Sequence, residues 1–380
     1  MAQRLRTDWL LFFTVVVFVC FGLVIAYSAS SMVATLKYGK PSHYFLLRQS
    51  GWALVSFFAL MYFKRMDYGK LRSPVWAFGS VGVMLILLAI VYFVDPRNHR
   101  WIRLGPLSVQ PLEFAKPALV IFLAWFVSRR LPAINNLHTL IPAAMALSVM
   151  AFAIVFADFG TTVVLVVTAG TVFFVAGLGW RAILFSTAAG MAFLLAAVLA
   201  KPYRVNRVIN FLDPDYTYLG LIDPHQKLRK YGETSVTTRD STYQARQSKI
   251  AVGSGGVFGL GLMQGKQKLL YLPEAHTDFV YAVIGEELGL WGCFAVLFGF
   301  LIIARQGLRL FWTAPDDFGR YLALGVTVCV VVQAFMNMSV VLDLGPTKGI
   351  PLPMISHGGS SLLATLIMLG MLLSVSEHAE

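Results

Sequence analysis

Three titratable groups stand at alternate positions in the run Leu272-Pro-Glu-Ala-His-Thr-Asp-Phe279: Glu274, His276 and Asp278. Two carboxylates and an imidazole so spaced can move protons, hold a cation or hydrogen-bond a polar substrate, with Thr277 adding a hydroxyl. The residues that follow, Phe279-Val-Tyr-Ala-Val-Ile-Gly285, are apolar and put Asp278 near the start of a membrane helix. There the positive helix end and nearby Lys and Arg are expected to hold its carboxylate ionised. Plain helix capping is the alternative, because an Asp at that point satisfies orphan backbone amides. A second polar island, from Asn98 to Pro117, carries Arg100, Arg103, Glu113 and Lys116. Glu113 and Lys116 are three apart on a helix beginning near Pro111, so they can pair with each other, or Lys116 can face a phosphate with Arg100 or Arg103. The third island, Leu344 to Ser361, holds Lys348, Ser356 and His357 in a run whose three prolines and four glycines forbid a regular helix.

The chain that must position these groups has 380 residues, 57% of them hydrophobic and only 13% charged, with a mean hydropathy of +0.70. That balance excludes a soluble globule and implies an all-α, polytopic membrane protein. Spans of roughly 20 apolar residues fall near 10–31, 45–63, 75–94, 114–128, 138–157, 161–178, 182–200, 279–304, 320–342 and 360–376, about ten helices. Short connections bearing Lys64, Arg65, Lys70, Arg72, Arg129, Arg130, Arg181, Arg305, Arg309 and Arg320 all lie on one side under this count, the cytoplasmic side by the positive-inside rule. Both termini are then cytoplasmic, and a large loop, 201–278, lies outside together with all three polar islands. The formal charge of +12 suits anionic lipid better than nucleic acid, since the basic residues sit in loops between spans. Cys20, Cys293 and Cys329 lie in apolar spans and read as packing residues. Arg4 and Arg6 precede a first helix expected to be retained.

Several features are expected to be structural. Small and hydroxyl residues in Gly22–Ser31 allow close helix approach, and Asp158-Phe-Gly-Thr161 is an ordinary turn. The glycines of Gly253-Ser-Gly-Gly-Val-Phe-Gly-Leu-Gly261 and Gly265 miss both nucleotide-loop spacings, which leaves close backbone packing or a re-entrant segment. Glu286 and Glu287, buried carboxylates downstream of Asp278, instead count toward a site there, as do the basic residues upstream.

Leu272-Pro-Glu-Ala-His-Thr-Asp-Phe279 with Gly285-Glu-Glu-Leu-Gly289 resembles the signature of the SEDS family, the FtsW and RodA polymerases of bacterial peptidoglycan. Val109-Gln-Pro-Leu-Glu-Phe-Ala-Lys-Pro117, Lys201-Pro-Tyr-Arg204 and Tyr243-Gln-Ala-Arg-Gln-Ser-Lys-Ile-Ala251 are similar to other family segments. Pro346-Thr-Lys-Gly with Ile355-Ser-His-Gly-Gly-Ser-Ser361 stands closer to the FtsW branch than to RodA, with His357 where an aromatic Tyr is expected. Residues 215–241 have no counterpart and read as an insertion in the 201–278 loop of a single domain spanning 1–380.

The resemblance implies a glycosyltransferase that polymerises lipid II at the outer face of the cytoplasmic membrane, in septal wall synthesis during division. Such transfer needs a base for the acceptor hydroxyl and cations for the departing pyrophosphate. Asp278 is the expected base; Arg100, Glu113, Lys116, Lys348, Glu274, His276, Thr277 and Ser356 are the expected substrate contacts. A divalent cation, magnesium or manganese, can share the second task, although the sequence shows no complete ligand set; no nucleotide is expected. Implied partners are nascent glycan on undecaprenyl pyrophosphate, a class B penicillin-binding protein and other division proteins. A lipid II flippase, an elongation-type RodA polymerase and a scaffold are the rival readings. A flippase needs polar residues on both faces and at mid-membrane, whereas here the islands share one face.

Overall fold

The computed structural model describes residues 7–95, 100–104, 107–155, 157–213, 217–223, 226–233, 238–269 and 271–379. Arg4, Arg6, Asn98, His99, Gly105, Pro106, Pro214 and parts of the expected insertion lie outside the described residues. With no water in a bilayer core to satisfy backbone groups, apolar segments must close their hydrogen bonds internally, and here they do so as helices. These are α1 (Trp9–Tyr38), α2 (Tyr44–Arg65), α3 (Pro74–Val94), α4 (Ala115–Arg130), α5 (Leu137–Val155), α6 (Phe159–Val175) and α7 (Trp180–Leu199). They continue as α8 (Pro202–Leu212), α9 (Leu219–Ile222), α10 (Lys227–Glu233), α11 (Thr238–Gly255), α12 (Val280–Thr313), α13 (Asp317–Val341) and α14 (Gly359–His378). A small antiparallel hairpin, β1 (Ile102–Leu104) and β2 (Leu107–Val109), lies between α3 and α4.

Each of the ten expected spans contains a helix, and among the described residues eight stretches are long and apolar enough to cross a membrane. The other two are α6, with 17 residues, and α2, which carries Arg48 in its second turn. The chain is thus a multi-pass membrane protein. The expected insertion holds α9 and α10, and α10 packs on α8, where Gly232 lies against Asn206.

The core is built around α13, which is buried along most of its length and packs on α4, α6, α12 and α14. Small residues allow the close approaches expected of them: Gly22 of α1 faces the backbone of Met354 and Ile355, and Gly299 of α12 faces the Phe18 ring. Near residue 289 two backbones meet directly. The Leu260 and Gly261 amides donate to the Glu286 and Glu287 carbonyls at 3.0 Å, and the Leu290 amide donates to the Gly256 carbonyl. Gly259 (φ 81) and Gly289 (φ 65) adopt the left-handed backbone this requires, and a Cβ on either would strike the other segment. The glycine-rich run therefore docks backbone to backbone on the start of α12, the close packing that is one of its two expected roles. It ends with Glu286 accepting from the Lys266 and Gln267 amides and Glu287 paired with Lys268 and Ser28.

At the end of the bundle away from the polar islands, Asp8 caps α1 while Lys64 and Glu377 pair at 2.7 Å. The buried pair of Lys116 and Glu113, at 2.6 Å, belongs to the interior; both side chains are at most 3% exposed. Removing one member of such a pair strands a charge away from water, at about 3–5 kcal/mol. Glu113→Gln is accordingly expected to lower the thermal midpoint of the detergent-solubilised protein, and an unchanged midpoint would remove this pair from the list of stabilising contacts.

Candidate functional site

The three polar islands come together against one helix. From α13, Asn337 Nδ2 donates to the Asp278 carbonyl at 2.7 Å and to the Ile350 carbonyl at 2.6 Å. One turn earlier Gln333 Nε2 donates to the Pro351 carbonyl at 2.8 Å, while its Oε1 accepts from Lys116 Nζ at 2.6 Å. Further ties run from the Gln110 amide to Ser360 Oγ and from the His357 amide to the His276 carbonyl, at 2.9 and 3.0 Å. These bonds satisfy carbonyls of irregular chain that would otherwise be orphaned beside the apolar core.

Asp278 does not cap α12. Phe279 is the residue at the cap position, no side chain bonds there, and the carboxylate of Asp278 accepts no hydrogen bond among the described residues. The turn before it is set by Glu274, in left-handed conformation at φ 54, whose carbonyl accepts from the Asp278 amide. The Asp278 carboxylate lies over the Cα of Gly349, where any side chain would collide with it. Burial pushes this carboxyl up, Glu274 and Asp158 push it further, and Arg100 and Lys348 pull it back, leaving it at about 7. The expectation of a firmly ionised Asp278 is corrected on that point: loss of water outweighs the helix end and the cations, and the group sits near its midpoint at neutral pH.

Asp158 is the residue whose importance sequence reasoning understated. Its Oδ2 caps α6 by accepting from the Thr161 amide at 2.8 Å, as a turn Asp should. Its Oδ1 also takes two cations, Arg100 Nη2 at 3.0 Å and Lys348 Nζ at 3.3 Å. Burial raises this carboxyl, but Lys348, Arg100 and the Thr161 bonds prevail and hold it at about 2. Burial in turn lowers Lys348, with Asp158 opposing. Lys348 and Arg100 therefore meet on one carboxylate close enough to act on Asp278.

The other expected site residues divide. Lys116 and Glu113 are sealed in their own pair with Gln333, which favours the ion-pair alternative over phosphate contact. Ser356 Oγ accepts from the Leu352 amide at 2.8 Å and shapes its loop. Thr277 donates to Glu274, and Arg103 is exposed. His276 points to the α2 side, against Phe45 and His357. Among the described residues no group of three or more His, Cys, Asp or Glu could hold a metal ion.

Beside Lys348 opens a cavity of about 470 Å³ between α6, α7, α8, α13 and the loop at 345–348. Val163, Val198, Val332 and Phe335 make apolar walls, and Arg204, Arg207 and Lys348 are its cationic groups, with Tyr203 beside them. Arg204 is consumed by the Val155 and Ala197 carbonyls, whereas Arg207 stacks on the Tyr203 ring and feels the charge of Asp278. Such a space fits a molecule with a long apolar part and an anionic group. Arg207 belongs to the recognisable start of the 201–278 loop, and Gln333 and Asn337 are polar residues one turn apart in an apolar span; both were available as signals.

The chain matches the family described as cell cycle protein, which joins FtsW, RodA and SpoVE, over residues 8–380. It is 37% identical to the probable peptidoglycan glycosyltransferase FtsW of Trichlorobacter lovleyi over 376 residues, covering 97% of this chain and 93% of that protein. It is 34% identical to the stage V sporulation protein E of Bacillus subtilis, covering 100% and 99%. Among solved structures, a chain from a peptidoglycan synthase complex described as coordinating polymerization and crosslinking superposes with a TM-score of 0.73 at 27% identity, covering 98% of each.

Asp158→Asn offers a direct check on the electrostatics, since Asn keeps the cap and loses the charge. With one like charge removed and two cations released, the Asp278 midpoint is expected to fall below about 7, read by carbon NMR of aspartate-labelled protein; a midpoint that stays put would detach Asp158 from the site.

Proposed function

Since the chain belongs to the cell cycle protein family of FtsW, RodA and SpoVE, we propose that it is a peptidoglycan glycosyltransferase whose reaction centre is Asp278. The observation that carries this reading is the Asp278 carboxylate, packed against Gly349 and within reach of the charges of Arg100, Lys348 and Arg207, the last two of which line an apolar cavity; burial there raises it to about 7. A group with that value takes a proton well at neutral pH. In the reaction, the acceptor hydroxyl of lipid II loses its proton to Asp278 while its oxygen bonds to the anomeric carbon of the glycan. The bond from that carbon to the lipid pyrophosphate breaks, and the electron pair leaves with the pyrophosphate. Lys348 and Arg207 face the charge that develops there, and Asp158 keeps Lys348 and Arg100 in place. The apolar walls suit the polyprenyl chain. A magnesium or manganese ion would have to be held largely by the pyrophosphate, with Asp278 as its protein ligand, and would add charge neutralisation.

The reading extends to setting. Lys and Arg placement supports cytoplasmic termini with 201–278 outside, and the FtsW names of the relatives support septal synthesis alongside a class B penicillin-binding protein. Alkaline phosphatase fused near Lys230 is expected to be active and a fusion after Ser376 inactive; the reverse pattern would turn the site inward. A fluorescent fusion is expected at the septum, and even side-wall signal would favour elongation instead.

Asp278→Asn tests the chemistry. It is expected to fold, insert and bind lipid II, yet to make glycan from purified lipid II about 10²–10⁴ times more slowly. Wild-type activity should decline as pH falls through about 7, because a raised carboxyl is protonated and useless as a base below that value. A near-normal rate in the Asn variant excludes the assignment. Lipid II translocation without polymer from the wild type would make the protein a flippase.

A further inference from the structure

We propose that His276 and His357 form a binding site for a dication of the zinc class, separate from the Asp278 centre. Nδ1 of His276 and Nε2 of His357 are both buried and have no hydrogen-bond partner. Buried imidazole nitrogens are seldom left so, and two unmatched ones on neighbouring rings call for a shared ligand. The ring centroids are 5.8 Å apart with the planes at 63°. Two imidazoles on one zinc ion, with Zn–N about 2.0–2.1 Å, place their centroids roughly 5–6 Å apart, so little movement is required.

The backbone preforms the pair, because the His357 amide donates to the His276 carbonyl at 3.0 Å. Metal binding needs neutral imidazole. Burial lowers both rings, His357 to about 4 with help from His276 and Arg48, and the same loss of water weighs against any cation that is not directly ligated. The charges facing the pair are mixed: Glu274 favours a cation near His276, whereas Lys37 and Arg48 oppose one. Arg48 is held away in part by its bond to Ser108 Oγ, at 2.6 Å. Phe45 closes one side, with its ring 5.4 Å from His276 and 5.3 Å from His357.

Both residues retain partial exposure although the two nitrogens themselves are buried, so binding an ion requires a small shift of the rings or of Phe45. With two protein ligands and water completing the shell, the site is exchangeable rather than structural, since structural zinc takes four protein ligands. Magnesium, which prefers oxygen, is a poor fit. A bound ion would tie the 274–278 turn to the loop before α14, two residues from Asp278, and act as a brake on movement there. The inference stands on these imidazoles and does not depend on the glycosyl-transfer reading.

Titration of zinc chloride into the purified full chain in detergent, followed by calorimetry near neutral pH, is expected to show a saturable event of one ion per chain. His357→Phe keeps the ring contact with Phe45 and removes both nitrogens. It should weaken that event at least about tenfold while the thermal midpoint holds. X-ray absorption of the wild-type zinc complex should show two imidazoles in the first shell, and this measurement decides the matter if the variant misfolds. Absence of saturable binding, equal binding by the variant, or fewer than two imidazoles on the ion overturns the proposal.

Discussion

Two amides on one helix hold this site together. Gln333 and Asn337 reach from α13 to the carbonyls of Asp278, Ile350 and Pro351. Non-helical chain beside a membrane core is tolerated only when its polar groups find partners. The loop that brings Lys348 to Asp158, and the turn that brings Asp278 to Gly349, both depend on those partners. The same Gln333 receives Lys116, so the buried pair with Glu113 belongs to the scaffold that fixes the loops rather than to the surface they present. An apolar replacement at either position would leave carbonyls unsatisfied at the place where the islands meet.

The site itself balances two opposing effects. Desolvation raises Asp278, and the cations around it lower it; neither wins outright. Asp158 tips this balance from the next helix by neutralising part of the positive charge. One buried carboxylate stays ionised, held by two cations, while its neighbour stays near its midpoint. Their environments push two chemically identical groups apart, which is the usual way for a protein to assign different roles to like residues.

Much of this was legible in the sequence. The apolar spans announced their helices, and the glycine spacing in 253–261 excluded nucleotide loops and pointed to backbone packing. The signature at 272–289 pointed to Asp278. What the sequence could not convey was depth and direction. Alternation in Glu274, His276 and Asp278 does not say that Asp278 faces α6 and α8 while His276 faces α2. Nor does the three-residue spacing of Glu113 and Lys116 say that the pair is sealed inside by Gln333. Asp158 looked like a turn residue and is one, but its second oxygen has partners 58 and 190 positions away, a relation no local pattern carries.

The docked segment before α12 bears on how the chain is made. α12 carries two adjacent carboxylates, Glu286 and Glu287, and inserting them unpaired into lipid would be costly. Their partners are supplied largely by the chain synthesised just before: the amides of Lys266 and Gln267 and the ammonium of Lys268. Loop and helix start can therefore enter the bilayer as one pre-neutralised hairpin. Only Ser28, on α1 and 259 positions away, is a distant partner. For the two carboxylates of the eighth apolar span, pairing would then be mostly local, with one hydroxyl supplied from a distant helix, while the packing of that span on α1 and α13 remains long-range.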